Sequence, residues 1–216
     1  DAISPRWSPD SRRLAFVPPD SSVPGLMIAE IGGARPSRVG AAPLRINFWS
    51  PIWSNSGDKL LYATEDPRKY ILLSLTGKGD SSIVLPDSMG WLTSAVFSPD
   101  DQELMATAVT GGHTQLWGLT LRTGRETRVG TPPGGFETVL LWAGDGWIYS
   151  QRGTEIWRIH SDGRGAELYA RLPATADGSQ WGACRLTRNA RRLACEATKS
   201  ESDIWVATDF DPGERR

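Results

Sequence analysis

The chain has 216 residues, ten of them tryptophan, with 24 Lys and Arg against 25 Asp and Glu for a net charge of −1. This balance gives no electrostatic footprint for nucleic acid or an anionic membrane. No apolar run reaches the ~18 residues of a membrane helix, and two cysteines do not make a disulfide framework.

The first predicted strand leads into Trp7, which anchors the segment Trp7-Ser8-Pro9-Asp10-Ser11-Arg12-Arg13-Leu14-Ala15-Phe16. A second strand, Leu14-Ala15-Phe16-Val17, follows the turn, then a third, Leu26-Met27-Ile28-Ala29, and a short fourth, Ser37-Arg38-Val39. The pattern then restarts. Ile46-Asn47-Phe48-Trp49 precedes the second anchor, Trp53, and Leu60-Leu61-Tyr62-Ala63, Tyr70-Ile71-Leu72-Leu73 and Ser82-Ile83-Val84-Leu85 follow it. Phe97 anchors a third copy with Leu116-Trp117-Gly118-Leu119 and Thr127-Arg128-Val129. The fourth copy runs from Thr138-Val139-Leu140-Leu141 through Trp142 to Ile156-Trp157-Arg158-Ile159 and Glu167-Leu168-Tyr169. Leu186 anchors the fifth, which reaches Ile204-Trp205-Val206-Ala207 and stops without a fourth run.

Anchors spaced 46, 44, 45 and 44 residues apart mark a repeat architecture with four strands per unit, the period of a β-propeller blade. β-branched and aromatic runs cut by Gly, Pro, Asp and Ser support strands, and helical periodicity is absent. The reading is an all-β propeller of four-stranded antiparallel blades, a single propeller domain or propeller segment over 1–216. Its five repeats are approximately 1–40, 41–86, 87–131, 132–173 and 174–216, the last blade lacking its fourth strand.

The turns have physical reasons. Pro9 and Pro99 pre-set φ, and the flanking Ser and Asp side chains bond nearby backbone N–H groups. Gly33, Gly77, Gly124 and Gly163 follow the third strands and are expected to supply positive φ there. Trp7, Trp53 and Trp142 share one repeat position and Trp117, Trp157 and Trp205 another, so they are expected to pack blade against blade. Trp49, Trp91, Trp147 and Trp181 fall outside that register. If Leu186 pairs with Leu193, Cys184 faces Cys195, either as a disulfide or as two small buried thiols.

Trp-Ser-Pro-Asp-x-x-x-Leu-Ala-Phe, an Ile-Trp or Leu-Trp strand and then Asp-Gly or Thr-Gly resemble the TolB-like (WD40-like) propeller repeat over essentially the whole chain. The ending Ser202-Asp203-Ile204-Trp205-Val206-Ala207-Thr208-Asp209-Phe210-Asp211-Pro212 is also similar to propellers attached to bacterial serine/threonine kinases. The TolB-like resemblance implies a periplasmic or extracytoplasmic protein-binding scaffold. The kinase-like ending implies a sensor, and related rings cover prolyl-oligopeptidase-type peptidases. TolB-like rings usually have six or more blades. An unpaired edge is a liability, so three accounts stand: a five-bladed ring, a ring completed by chain outside this sequence, or an open arc. Asp1 in place of Met favours chain missing at the N-terminal side.

No Gly-x-Ser-x-Gly elbow is present, and no His/Cys/Asp spacing matches a zinc site. His113 and His160 occupy different repeat positions, expected at opposite rims. Asp-rich turns supply too few oxygens for calcium, and Arg12-Arg13 and the Arg188–Arg192 cluster read as solvated turn residues. No catalytic residue, cofactor or metal is assigned.

A propeller's variable loops, from strand two to three and from strand four to one, gather at one mouth of the channel. Trp91 and Phe136 each stand six residues before an anchor, and Glu65, Arg68, Lys69 and His113 lie in neighbouring loops of that mouth. These six form the candidate binding rim for a protein partner or small ligand. The function expected is a non-catalytic binding module, scaffold or sensor, without nucleic acid or membrane insertion. The alternative is the accessory propeller of a larger kinase or peptidase.

Overall fold

The computed structural model describes residues 3–18, 25–33, 35–39, 51–66, 68–77, 79–110, 112–130, 138–175, 180–188 and 190–198. Within them lie five antiparallel sheets arranged as successive blades. The first contains β1 (Ile3–Trp7), β2 (Arg13–Val17), β3 (Met27–Glu30) and β4 (Ser37–Arg38). The second contains β5 (Ile52–Trp53), β6 (Lys59–Ala63), β7 (Lys69–Ser74) and β8 (Ser81–Val84). The third contains β9 (Trp91–Phe97), β10 (Glu103–Thr110), β11 (His113–Thr120) and β12 (Glu126–Val129), and the fourth β13 (Thr138–Trp142), β14 (Trp147–Arg152), β15 (Glu155–His160) and β16 (Glu167–Arg171). The fifth pairs β17 (Gln180–Leu186) with β18 (Leu193–Thr198). Each strand pairs with its sequence neighbour, and β1, β5, β9, β13 and β17 are the inner strands, each in contact with the next. Ile46-Asn47-Phe48-Trp49, Ile204-Trp205-Val206-Ala207 and the kinase-like ending lie outside the described residues.

The cores lie between blades. Ala15, Leu26 and Ile28 of the first sheet meet Leu60, Tyr62 and Leu73 of the second. Leu61, Ala63 and Tyr70 turn to the other face and meet Phe97, Leu104, Ala106 and Trp117. Met105, Leu116 and Val129 face Val139, Ile148 and Ile159, while Tyr149 and Ile156 pack towards Cys184 and Ala190 of the fifth sheet. A middle strand is thus buried on both faces. That is why Leu60-Leu61-Tyr62-Ala63 reads as a continuous apolar run instead of alternating.

In the first three repeats the serine after the anchor closes the first turn. Ser8, Ser54 and Ser98 are buried. Their hydroxyls accept the backbone N–H groups of Arg13 (2.9 Å), Lys59 (3.0 Å) and Glu103 (2.9 Å) and donate to Asp10, Asp58 and Asp100. Four residues past each anchor the backbone turns left-handed, at Ser11 (φ 58°), Gly57 (74°), Asp101 (57°), Gly146 (87°) and Ala190 (55°). After the third strands, Gly77, Gly124 and Gly163 have positive φ as expected, but in the first blade that role falls to Gly32 (φ 68°), not Gly33. Ile31 N bonds the Arg12 carbonyl and Gly33 N bonds that of Glu30, which brings the reversal one residue early.

Among the in-register tryptophans, Trp117 is buried, and Trp53 and Trp142 pack against the preceding blade. Trp7 departs from the expectation and is 57% exposed. The reason lies in the direction of packing. Trp53 reaches back to the first blade and donates its indole N–H to the Arg6 carbonyl (3.0 Å), and no described blade covers Trp7 in the same way.

Candidate functional site

The loops place the candidate rim at one end of the strands. Glu65 and Arg68 lie in the connection from β6 to β7, Lys69 opens β7, Trp91 opens β9 and His113 opens β11. Glu65, Lys69 and His113 are exposed, and Trp91 is 52% exposed. Arg68 differs, because its half-exposed guanidinium is turned back onto its own blade. It pairs with Asp87 at 2.5 Å and donates to the Leu85 carbonyl at 2.6 Å, tying the two loop kinds of one blade together. Phe136 lies outside the described residues.

The inner strands of all five sheets surround one open cavity of about 430 Å³. Its wall includes Arg6 and Trp7 from β1, Ile52 and Trp53 from β5, Thr93–Val96 from β9, Thr138–Leu140 from β13, and Arg185 with Leu186 from β17. Thr93 and Ser94 share the buried Thr107 hydroxyl, at 2.8 and 2.7 Å, and Ser94 Oγ accepts the Val139 N–H (2.7 Å). That chain of hydroxyls fixes the third inner strand to the fourth.

Arg6 and Arg185 belong to no motif of their own, although a signal exists in the sequence. Each stands one residue before its anchor, the position that Ile52, Val96 and Leu141 occupy in the middle repeats. Arg6 donates to its neighbouring Pro5 carbonyl (3.1 Å) and Arg185 to that of Cys184 (2.7 Å). Neither forms an ion pair among the described residues, and none of the described residues lining the cavity is acidic. Desolvation, together with the like charge of Arg185, lowers the Arg6 guanidinium to about 10. Desolvation lowers Arg185 as well. At the mouth nearest these arginines, Arg188 donates to the Asn55 carbonyl (2.7 Å), so the fifth blade reaches the second.

The turns around that mouth are interlocked. The Asp101 carboxylate accepts from Asn55 N (2.6 Å), Asn55 Nδ2 (3.0 Å), Ser56 N (2.8 Å) and Ser56 Oγ (2.7 Å). Arg13 donates to the Gly57 carbonyl (2.7 Å) and stacks over Trp53 at 4.9 Å. These Asp and Arg side chains therefore join blade to blade. Among the described residues no three His, Cys, Asp or Glu side chains gather to hold a metal. His113 begins its third strand and His160 ends its own, beside Asp162 (3.2 Å) and edge-on to Trp147. They stand at opposite ends of the blades.

In the fifth sheet, Leu186 pairs with Leu193 and Cys184 with Cys195, and the two cysteines form a disulfide with Cα atoms 4.0 Å apart. Gln151 of the fourth sheet holds this hairpin from the side. It donates to the Gly182 carbonyl (2.8 Å) and accepts the Cys184 N–H (3.0 Å).

No protein-family model matches the chain. Over 133 residues, 57% of its length, it is 32% identical to a protein TolB homolog of Chlorobium luteolum and spans 28% of that relative. Among solved structures it is similar to TolB from Acinetobacter baumannii, with a TM-score of 0.64, 14% identity, and 92% of this chain matched to 55% of that one. A putative TolB from Agrobacterium tumefaciens gives a TM-score of 0.60 and 21% identity, covering 83% of this chain and 64% of that one. These structural likenesses concern the fold. The chain spans 28% of the curated relative's length and 55% and 64% of the two structures.

Proposed function

We propose that this TolB-like β-propeller is a non-catalytic binding module, holding a protein partner or ligand as a scaffold or sensor. The rim formed by Trp91, Glu65, Lys69 and His113 is its contact face. The observation that carries this reading is Trp91. A tryptophan left 52% exposed where an inner strand begins keeps a large amphipathic surface in water, and such aromatics are enriched at contact hot spots. Exposed charges of both signs in the loops at the same end of the strands supply a polar edge. Arg68 belongs to this face as its brace, since its pairing with Asp87 shapes the loops on which the others stand. An extracytoplasmic setting fits a chain with a cross-strand disulfide, because such bonds persist in oxidising compartments. The TolB-like repeats support the same placement.

The test uses the full chain as immobilised bait in a bacterial envelope extract, with captured proteins identified by mass spectrometry. Trp91→Ala with Lys69→Ala is expected to reduce capture of the specific partner by about tenfold or more, with the melting temperature unchanged. Undiminished capture by that variant would remove the rim from consideration.

A further inference from the structure

We propose that the channel wall around Arg6 and Arg185 is a binding site for an organic carboxylate. This goes beyond the rim, because both arginines stand near the ends of their inner strands whereas Trp91 stands at the beginning of its own.

Four observations converge. The first is the repeat column, in which the middle blades place Ile52, Val96 and Leu141 where the first and fifth blades place arginine. The apolar residue is the one the architecture needs, so the two arginines are departures from it. The second is charge. The chain carries 25 acidic residues, yet none of the described residues lining this cavity is acidic, while Arg6, Arg185 and Arg188 all line it. The third is desolvation. Two guanidinium groups share one cavity from the first and fifth sheets; Arg6, half-buried, is lowered by desolvation and by its like-charged neighbour, and Arg185, whose side chain still reaches solvent, is lowered by partial desolvation. Bringing like charges together in a partly desolvated cavity is unfavourable unless an anion offsets it. The fourth is shape. Trp7, Ile52 and Trp53 give the same cavity an apolar wall.

Guanidinium forks match the two oxygens of a carboxylate in bidentate geometry. The apolar wall favours an acid with an organic body over inorganic phosphate. Arg188, anchored on the Asn55 carbonyl (2.7 Å), holds the mouth of the cavity in shape. The exposed face of Trp7 leaves room for the ligand's body. Two sources of this chemistry fit: a free small dicarboxylate, or the acidic side chains of a peptide.

The test is isothermal titration calorimetry on the full chain at low and moderate salt. The probes are succinate, a capped Gly-Glu-Glu-Gly peptide, its Gly-Gln-Gln-Gly counterpart, and inorganic phosphate. Expected is salt-sensitive binding of succinate or the glutamate peptide, weakened about tenfold or more by Arg6→Gln and by Arg185→Gln, as loss of a charge-assisted contact predicts. Arg12→Gln, in the first turn of the first blade, should leave it unchanged, and the glutamine peptide should not bind. Whichever acid binds tighter identifies the source. Both cavity variants should melt at or above the parent temperature, because each removes a like-charged neighbour. If one of them fails to fold, the other, on a different blade, carries the test. The proposal is overturned if neither acid binds, if binding survives both substitutions, if phosphate alone binds, or if both variants melt well below the parent.

Discussion

Ser8, Ser54 and Ser98 each do two things, and the second has a pH signature. By donating to Asp10, Asp58 and Asp100, these hydroxyls favour the ionised carboxylates; all three are held below the ordinary aspartate value of 3.8, Asp10 and Asp100 first by Ser8 and Ser98, and Asp58 first by the neighbouring Ser56, with Ser54 a smaller contributor. A group whose folded value is depressed binds fewer protons in the native state than in the unfolded chain. Its stabilisation is present above the unfolded value and is lost as pH falls through the folded one. Glu155 and Asp162 are lowered too, Glu155 first by the Trp157 indole N–H and Asp162 first by the Arg164 side chain, so the contributions share one sign. The urea midpoint should therefore stay nearly level from about pH 8 to about pH 5 and then drop steadily towards pH 3. Ser98→Ala should lower the midpoint at every pH, since it strips a partner from Glu103 N, and should flatten the acid decline. A decline as steep as the parent's would show that Ser98 does not set the Asp100 contribution. At this scale the sequence announced the Ser-Pro-Asp turn but not the left-handed residue two places after its proline. Ser11, Asp101 and Ala190 carry no glycine-like mark, and the demand on them comes from the strands they join.

The fifth sheet shows how an element is stabilised from several sides. Cys184 and Cys195 close a loop with a sequence separation of 11, and the loop-entropy relation puts such a closure at roughly 3 kcal/mol. Gln151 adds two hydrogen bonds from the neighbouring blade, to Gly182 and from Cys184. Reduction with dithiothreitol, or Cys184→Ser with Cys195→Ser, is expected to lower stability by about 2–4 kcal/mol. Hydrogen exchange should localise the loss to β17 and β18 before it reaches the first three blades. Identical exchange in both redox states would mean that the hairpin does not depend on the bond. Register was readable for this element because the anchor Leu186 and its partner Leu193 flank a turn like the others, which sets Cys184 opposite Cys195. The irregularity between Trp181 and Cys184 was not readable, because a bulge leaves no composition mark in a strand of mixed residues. The Arg6–Arg185 column is an intermediate case. Both residues are plain in the sequence, but they become a pair only when the first and fifth blades are set around one cavity.

Across the whole molecule, stability comes from interfaces between blades more than from any blade's own interior. Each described interface joins alternate faces of two middle strands, as Leu60 and Tyr62 look one way and Leu61 and Ala63 the other. The propeller was legible from its period and its two-faced apolar runs for this reason. The exposure of individual anchors was not, since it depends on which blade lies behind. Repeat equivalence therefore makes a false prediction that the structure corrects. By position alone, Trp7 and Trp53 should matter equally. Trp53 packs into the core between the first two blades and bonds the Arg6 carbonyl, so Trp53→Ala should cost about 3 kcal/mol, in the range of large aromatic truncations. Trp7 is 57% exposed, so Trp7→Ala should cost less than about 1 kcal/mol, as surface substitutions do. Urea denaturation of the two variants side by side measures the difference. Equal losses would show that Trp7 is covered in solution by another blade, whereas a wide gap would confirm that packing runs in one direction from each blade to the one before it.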